Sequence, residues 1–147
     1  MTRGMDYSQF TSVSMLTGRM RCHSSFNGVA TSFVVTDVPA RLGGRGEHPT
    51  PAALLAATLA SCMLSMLAYT GTQKGFDTNG ISARACCRED SQGISAFELL
   101  FSVPMNPSAR VRSFMEAAVR SCPVARALHP NIPNNIAWVY ADAPAID

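Results

Sequence analysis

An α+β fold in a single domain, residues 1–147, is predicted by three observations on the sequence. The chain opens on short apolar-rich runs divided by turn signals. A later segment, Thr50 to Tyr69, carries no charged residue. Beyond it, two-residue alternation gives way to helical spacing and then resumes. A chain of 147 residues fits one domain and can bury roughly two thirds of its unfolded surface in a single core.

The first two elements are read as antiparallel strands. "VSMLTGRMRC" and "GVATSFVVTDV" flank "HSSFNG", where Asn27-Gly28 is a hairpin signal. The glycine- and proline-rich "PARLGGRGEHPTP" then reads as a loop. Thr50 is a plausible N-cap, Pro51 suits the first helical position, and Lys74-Gly75 supplies a terminal cation and a C′ glycine. One long helix of about 35 Å follows at 1.5 Å per residue. Apolar residues surround it, so it belongs either in a bilayer or inside protein. Its reliance on alanine, serine and threonine, with no companion span elsewhere, favours a helix covered by sheet.

In "DTNGISARACCRED" Ile81, Ala83, Ala85 and Cys87 alternate with Ser82, Arg84, Cys86 and Arg88, which predicts a half-exposed strand with Cys87 inward and Cys86 outward. "GISAFELLFSVP" places Phe97, Leu99, Phe101 and Val103 on one face and pairs with its predecessor through "EDSQG". Val111, Phe114, Met115, Ala118 and Val119 then form a helical stripe. Arg112, Glu116 and Arg120 follow i, i+4 spacing on what reads as a solvated face. Pro123 opens a short helix that ends before Pro130, with Cys122 as its N-cap, and "NNIAWVYADA" is a last strand.

Composition excludes several functions. Hydrophobic residues form 47% of the chain and charged ones 15%, below the roughly one quarter usual in soluble domains. Such a chain is expected to hide further surface in an oligomer. A net charge of +2 gives no case for nucleic acid, although eleven of the twelve cations are arginine, the residue suited to fixed planar pairing. The N-terminal segment has no apolar run followed by a small-residue cleavage site, so the cytoplasm is the expected compartment. Five cysteines without repeated spacing do not form a secreted disulfide framework. No metal site is predicted: Cys86 and Cys87 diverge on a strand, and His23, His48 and His129 have no partner at ligand spacing.

Two cysteines stand apart. Cys62 lies in the middle of the apolar helix, and Cys122 starts a later one. A thiol at a helix start meets free N–H groups and the positive end of the helix dipole, so physical reasoning makes Cys122 the easier thiolate. With "PAALLAATLASC", whose proline lies eleven residues before the cysteine, and "CPV" at the second cysteine, the sequence resembles the OsmC/Ohr family, the osmotically inducible and organic-hydroperoxide-resistance proteins. The order of elements resembles that family from about Met15 to Ala141.

This resemblance implies an OsmC-like fold: antiparallel sheets around a long central helix, in an intertwined homodimer. It implies a thiol peroxidase that reduces organic hydroperoxides, with Cys62 peroxidatic, Cys122 resolving, a Cys62–Cys122 disulfide as intermediate and a dithiol reductant as partner. No metal, flavin or haem is required, and neither nucleic acid nor membrane is an expected partner. The family holds its thiolate with an arginine that a glutamate supports. "TGR" and "FNG" mark Arg19, with Arg41 and Arg45 as alternatives in the loop before the helix. The chain departs from the family at Ala52, where the helix-opening proline is normally followed by glutamate, and Glu47 is the nearest carboxylate that can substitute. The alternative function is an OsmC-like protein without efficient peroxidase activity, binding a small apolar ligand at the dimer interface.

Overall fold

The computed structural model describes residues 11–29 and 32–141. Ala30 and Thr31 of the second expected strand, and the last residues of the final one, lie outside them. The fold is α+β, with two small sheets and a central helix, and the chain divides into two compact units, Met1–Leu54 and Leu55–Asp147.

The first unit holds an antiparallel sheet of β1 (Ser12–Gly18), β2 (Arg21–Phe26) and β3 (Phe33–Thr36) in that order. The run expected as one strand is therefore a hairpin of its own. Gly18 pairs with Arg21, and the two residues between them, Arg19 and Met20, have φ of 41° and 63°. Two left-handed central residues define the hairpin turn whose twist matches its strands, a role usually given to Asn-Gly. The left-handed conformation costs roughly 1–2 kcal/mol for each such residue that carries a side chain. Polarity patterns give no hint of a turn at an Arg-Met pair, which is why the sequence reads through it.

After β3 the chain folds back on itself. A short 3₁₀ turn, Ala40–Leu42, ends at Gly43, and the amides of Gly44 and Gly46 donate to the carbonyls of Pro39 and Val38. Gly44 is required by this approach, since a Cβ there would stand 1.9 Å from the Val38 carbonyl oxygen. Helix α1 (Pro51–Lys74) begins as expected: the Thr50 hydroxyl accepts from the Ala53 amide at 3.1 Å, and Pro51 needs no donor at its position. It ends at Gly75 in the left-handed conformation, where the amides of Gly75 and Phe76 both return to the Gly71 carbonyl.

The second unit is built on a sheet of β4 (Ser82–Asp90), β5 (Gly93–Val103) and β6 (Asn134–Tyr140), with β5 central. The β4–β5 pair is antiparallel and β5–β6 parallel, with Leu99 opposite both Ala85 and Ile136. Helices α2 (Ala109–Arg120) and α3 (Pro123–Ala127) provide the crossover that a parallel pair needs. The expected inward residues Phe97, Leu99, Phe101 and Val103 are all buried, as are Ala56, Leu59, Met63 and Leu67 of α1 and Met115, Ala118 and Val119 of α2. Cys87 is half-buried and Cys86 exposed, as the alternation predicts. By length and composition α1 could cross a membrane; here one side of it forms the core of the unit.

Arg112 departs from the solvated face assigned to it. It is half-buried, its guanidinium lies 3.9 Å from the centre of the Tyr140 ring, and it donates to the Pro107 carbonyl and the Asn106 side chain. Glu116 and Arg120 do form an exposed i, i+4 pair at 3.9 Å.

Candidate functional site

Two clusters carry chemistry, one in each unit. In the second unit Cys62 is half-buried at the middle of α1, and Cys122 is fully buried between α2 and α3. Their placement follows from local structure. The spacing of α1 puts Cys62 beside Leu59 and Met63 on the flank of the core stripe. Helix α2 ends where the Ser121 amide and hydroxyl return to carbonyls of its last turn, and Pro123 at the first position of α3 turns the chain at once. Cys122, held at that corner, lies close enough to Cys62 for the neighbouring thiol to raise its pKa, and both are free thiols. Residues 60 positions apart in sequence are thus brought near one another.

The corner does not make Cys122 a thiolate. Burial raises its pKa above the ordinary thiol range, and the neighbouring Cys62 raises it further. The amides of Val124 and Ala125 pull in the opposite direction without prevailing. The expectation that the helix start favours ionisation of Cys122 is therefore corrected: a site closed to water penalises the charged form more than one short helix stabilises it.

The first unit holds an arginine–carboxylate cluster. Glu47 is ion-paired with Arg21, not Arg19, and Asp37 binds the same Arg21 Nη2 at 2.8 Å. The side chain of Asp37 has no solvent exposure. Its oxygens accept from the amides of Val38, Arg45 and Glu47 at 2.8, 3.4 and 3.2 Å. Arg21 holds the Asp37 carboxyl far below the usual carboxylate range, assisted by those amides and opposed by burial, and lowers the pKa of Glu47 in the same way. The two carboxylates in turn raise that of Arg21.

Arg19 sits at the β1–β2 turn and Arg45 in the folded-back loop; together with Arg21, Thr17 and Gly18 they line a cavity of about 170 Å³. Arg41 belongs to the 3₁₀ turn, and Ala52 is half-buried in the first turn of α1. Arg21 and Asp37 were not visible as site residues, because their pairing depends on the register of β2 against β3. Among the described residues no group of three or more histidines, cysteines or carboxylates is gathered as a metal site would require. A broad groove of about 780 Å³ on the second sheet, lined by Arg84, Cys86, Glu98, Leu100 and Asn135 among others, involves neither Cys62 nor Cys122.

The two neighbouring cysteines stand on an α+β scaffold of two small sheets and one long helix. Residues 44–137 match the model of the family described as OsmC-like protein, so the chain belongs to that family. Among solved structures it is similar to an osmotic stress induced and detoxification response protein from Psychrobacter arcticus, with a TM-score of 0.83, 24% identity, and coverage of 93% of this chain and 98% of that one. It is also similar to an organic hydroperoxide resistance protein from Legionella pneumophila (TM-score 0.70, 17% identity, coverage 88% and 97%). The OhrB protein of Bacillus subtilis, an organic hydroperoxide resistance protein, matches with a TM-score of 0.65 at 17% identity, covering 87% and 96%. At these identities the likeness is one of fold. No curated protein matches the sequence significantly.

Proposed function

We propose that this protein is a cysteine-based peroxidase of the cytoplasm that reduces organic hydroperoxides to alcohols. The observation that carries the reading is the nearness of Cys62 and Cys122 beside an apolar core. The thiolate of Cys62 attacks the terminal oxygen of the hydroperoxide. The S–O bond forms as the O–O bond breaks, and the alkoxide leaves with a proton as the alcohol. Cys122 then attacks the sulfur of the Cys62 sulfenic acid, its proton leaving with the hydroxyl as water, and a disulfide closes. An external dithiol reduces that disulfide. The raised pKa of Cys122 supports this division of roles, because a neutral thiol is a poor first nucleophile and suits the second step beside its partner.

Glu47, foreseen as the support of an arginine, binds Arg21 together with Asp37.

The test is stoichiometric. Reduced protein exposed to cumene hydroperoxide should lose two thiols per chain and gain one Cys62–Cys122 disulfide, seen by peptide mapping. Cys62→Ser should consume no peroxide, whereas Cys122→Ser should accumulate a sulfenic acid trapped by dimedone. Unchanged thiol content after several equivalents of peroxide would overturn the reading and leave an OsmC-like binding protein.

A further inference from the structure

We propose that the cavity at the β1–β2 turn binds a small monocarboxylate. Its walls bring Arg19, Arg21 and Arg45 together from the turn, strand β2 and the folded-back loop. Like charges gathered around one small space raise its positive potential and favour an anion there. Asp37 and Glu47 offset part of that charge, both through Arg21 Nη2. Among the described residues neither Arg19 nor Arg45 has an ion-pair partner. Three arginines against two carboxylates leave one net positive charge, which suits a singly charged anion better than a dianion.

The backbone adds a second, independent observation. Arg19 occupies a left-handed position, φ 41°, in a turn that glycine or asparagine would form with less strain. Strained backbone persists where the surroundings hold it, and such sites are often binding sites. The strain fixes the root of the Arg19 side chain at the cavity rim. Arg45 is fixed from the other side, since its amide donates to Asp37 within the loop that Gly44 allows to close. Guanidinium groups presented from two such anchors match the planar, two-oxygen face of a carboxylate. A volume of about 170 Å³ admits a short-chain acid.

The inference does not rest on the peroxidase reading, and its test reads binding alone. Sodium propionate is titrated into the reduced full chain at constant ionic strength and pH 6.5, and followed by amide chemical shifts. Saturable shifts centred on Gly18 to Arg21 and Gly44 to Glu47 are expected, and propionamide should produce none. R19Q and R45Q should each weaken propionate binding at least fivefold, and R84Q, a charge removed from the second unit, should not. Sulfate, a dianion at this pH, should bind more weakly than propionate. Absence of saturable shifts, equal response to propionamide, or unchanged affinity in both R19Q and R45Q would overturn the proposal. Tighter binding of sulfate would also overturn it, because the site would then prefer a dianion. Both arginines are at a turn or in a loop, and R19K and R45K, which keep the charge but lose the fork, should show intermediate affinity.

Discussion

Cys122 occupies the start of a helix and is nevertheless the less acidic kind of thiol, because burial outweighs two amides. Under the proposed mechanism Cys62 should therefore be alkylated by iodoacetamide before Cys122 at pH 7, in protein whose other cysteines are replaced by serine. Faster loss of the Cys122 thiol would refute that order. Asp37 gives a prediction on stability. Its folded pKa lies below its unfolded value near 3.9, so over that interval the unfolded chain binds more protons and stability rises with pH. The contribution is complete above the unfolded value and is lost as pH falls toward the folded one. Asp37→Asn should be less stable than the parent at pH 7, with the difference shrinking as the pH falls below about 4. Urea midpoints at pH 3, 5 and 7 measure it; a difference independent of pH would show that the carboxylate charge is not what Arg21 stabilises.

At the scale of elements, Arg112 ties the first turn of α2 to the end of β6. Its stacking on Tyr140, the bond to the Pro107 carbonyl and the contact with Asn106 fix the angle at which α2 leaves β5. A partly desolvated cation–π contact contributes about 0.5–2 kcal/mol, and a hydrogen bond about 1 kcal/mol. Arg112→Ala should therefore lower the unfolding free energy by about 2 kcal/mol, and Arg112→Lys should recover only part of it; a thermal melt indistinguishable from the parent would refute the tie. Sequence pattern could not place Arg112, because i, i+4 spacing identifies a helix face without saying what that face meets. It served well where one face decides everything: α1, β4, β5 and the stripe of α2 were legible from their periods. It failed where register decides. A two-residue turn at Asn27-Gly28 would set Arg21 opposite Val34. The observed pairing of Cys22 with Thr36 and His23 with Val35 continues to Arg21 and Asp37, which creates the cluster that no motif announced.

For the whole molecule, the surface left by one chain is the main clue to assembly. Only 28% of the most apolar window of α1 is buried, although its mean hydropathy is 1.8. Its uncovered side carries Thr58, Ser61, Ser65, Ala68 and Thr72, all small, none charged, at spacing that aligns them along one face. Ser65 and Thr72 turn their hydroxyls back to the carbonyls of Ser61 and Ala68, which leaves that face smooth. In the first sheet Met15 and Phe33, on one face, are 63% and 66% exposed, and Leu16, on the other, is 73% exposed; so small a sheet with open apolar residues has little stability of its own. These surfaces support the homodimer: small residues let a second α1 approach closely, and apolar burial at about 25 cal/mol per Å² would hold the pair together. Ala68→Glu places a charge in the middle of the small-residue face, where the dimer would leave it unpaired in a dry contact. The parent should sediment as a single dimeric species at micromolar concentration. Ala68→Glu should shift toward monomer and unfold at lower temperature, and Ser91→Glu, in the exposed β4–β5 turn, should change neither property. A compact, stably folded parent monomer at that concentration would show that the uncovered face of α1 is tolerated in solution, and the homodimer would have to be abandoned.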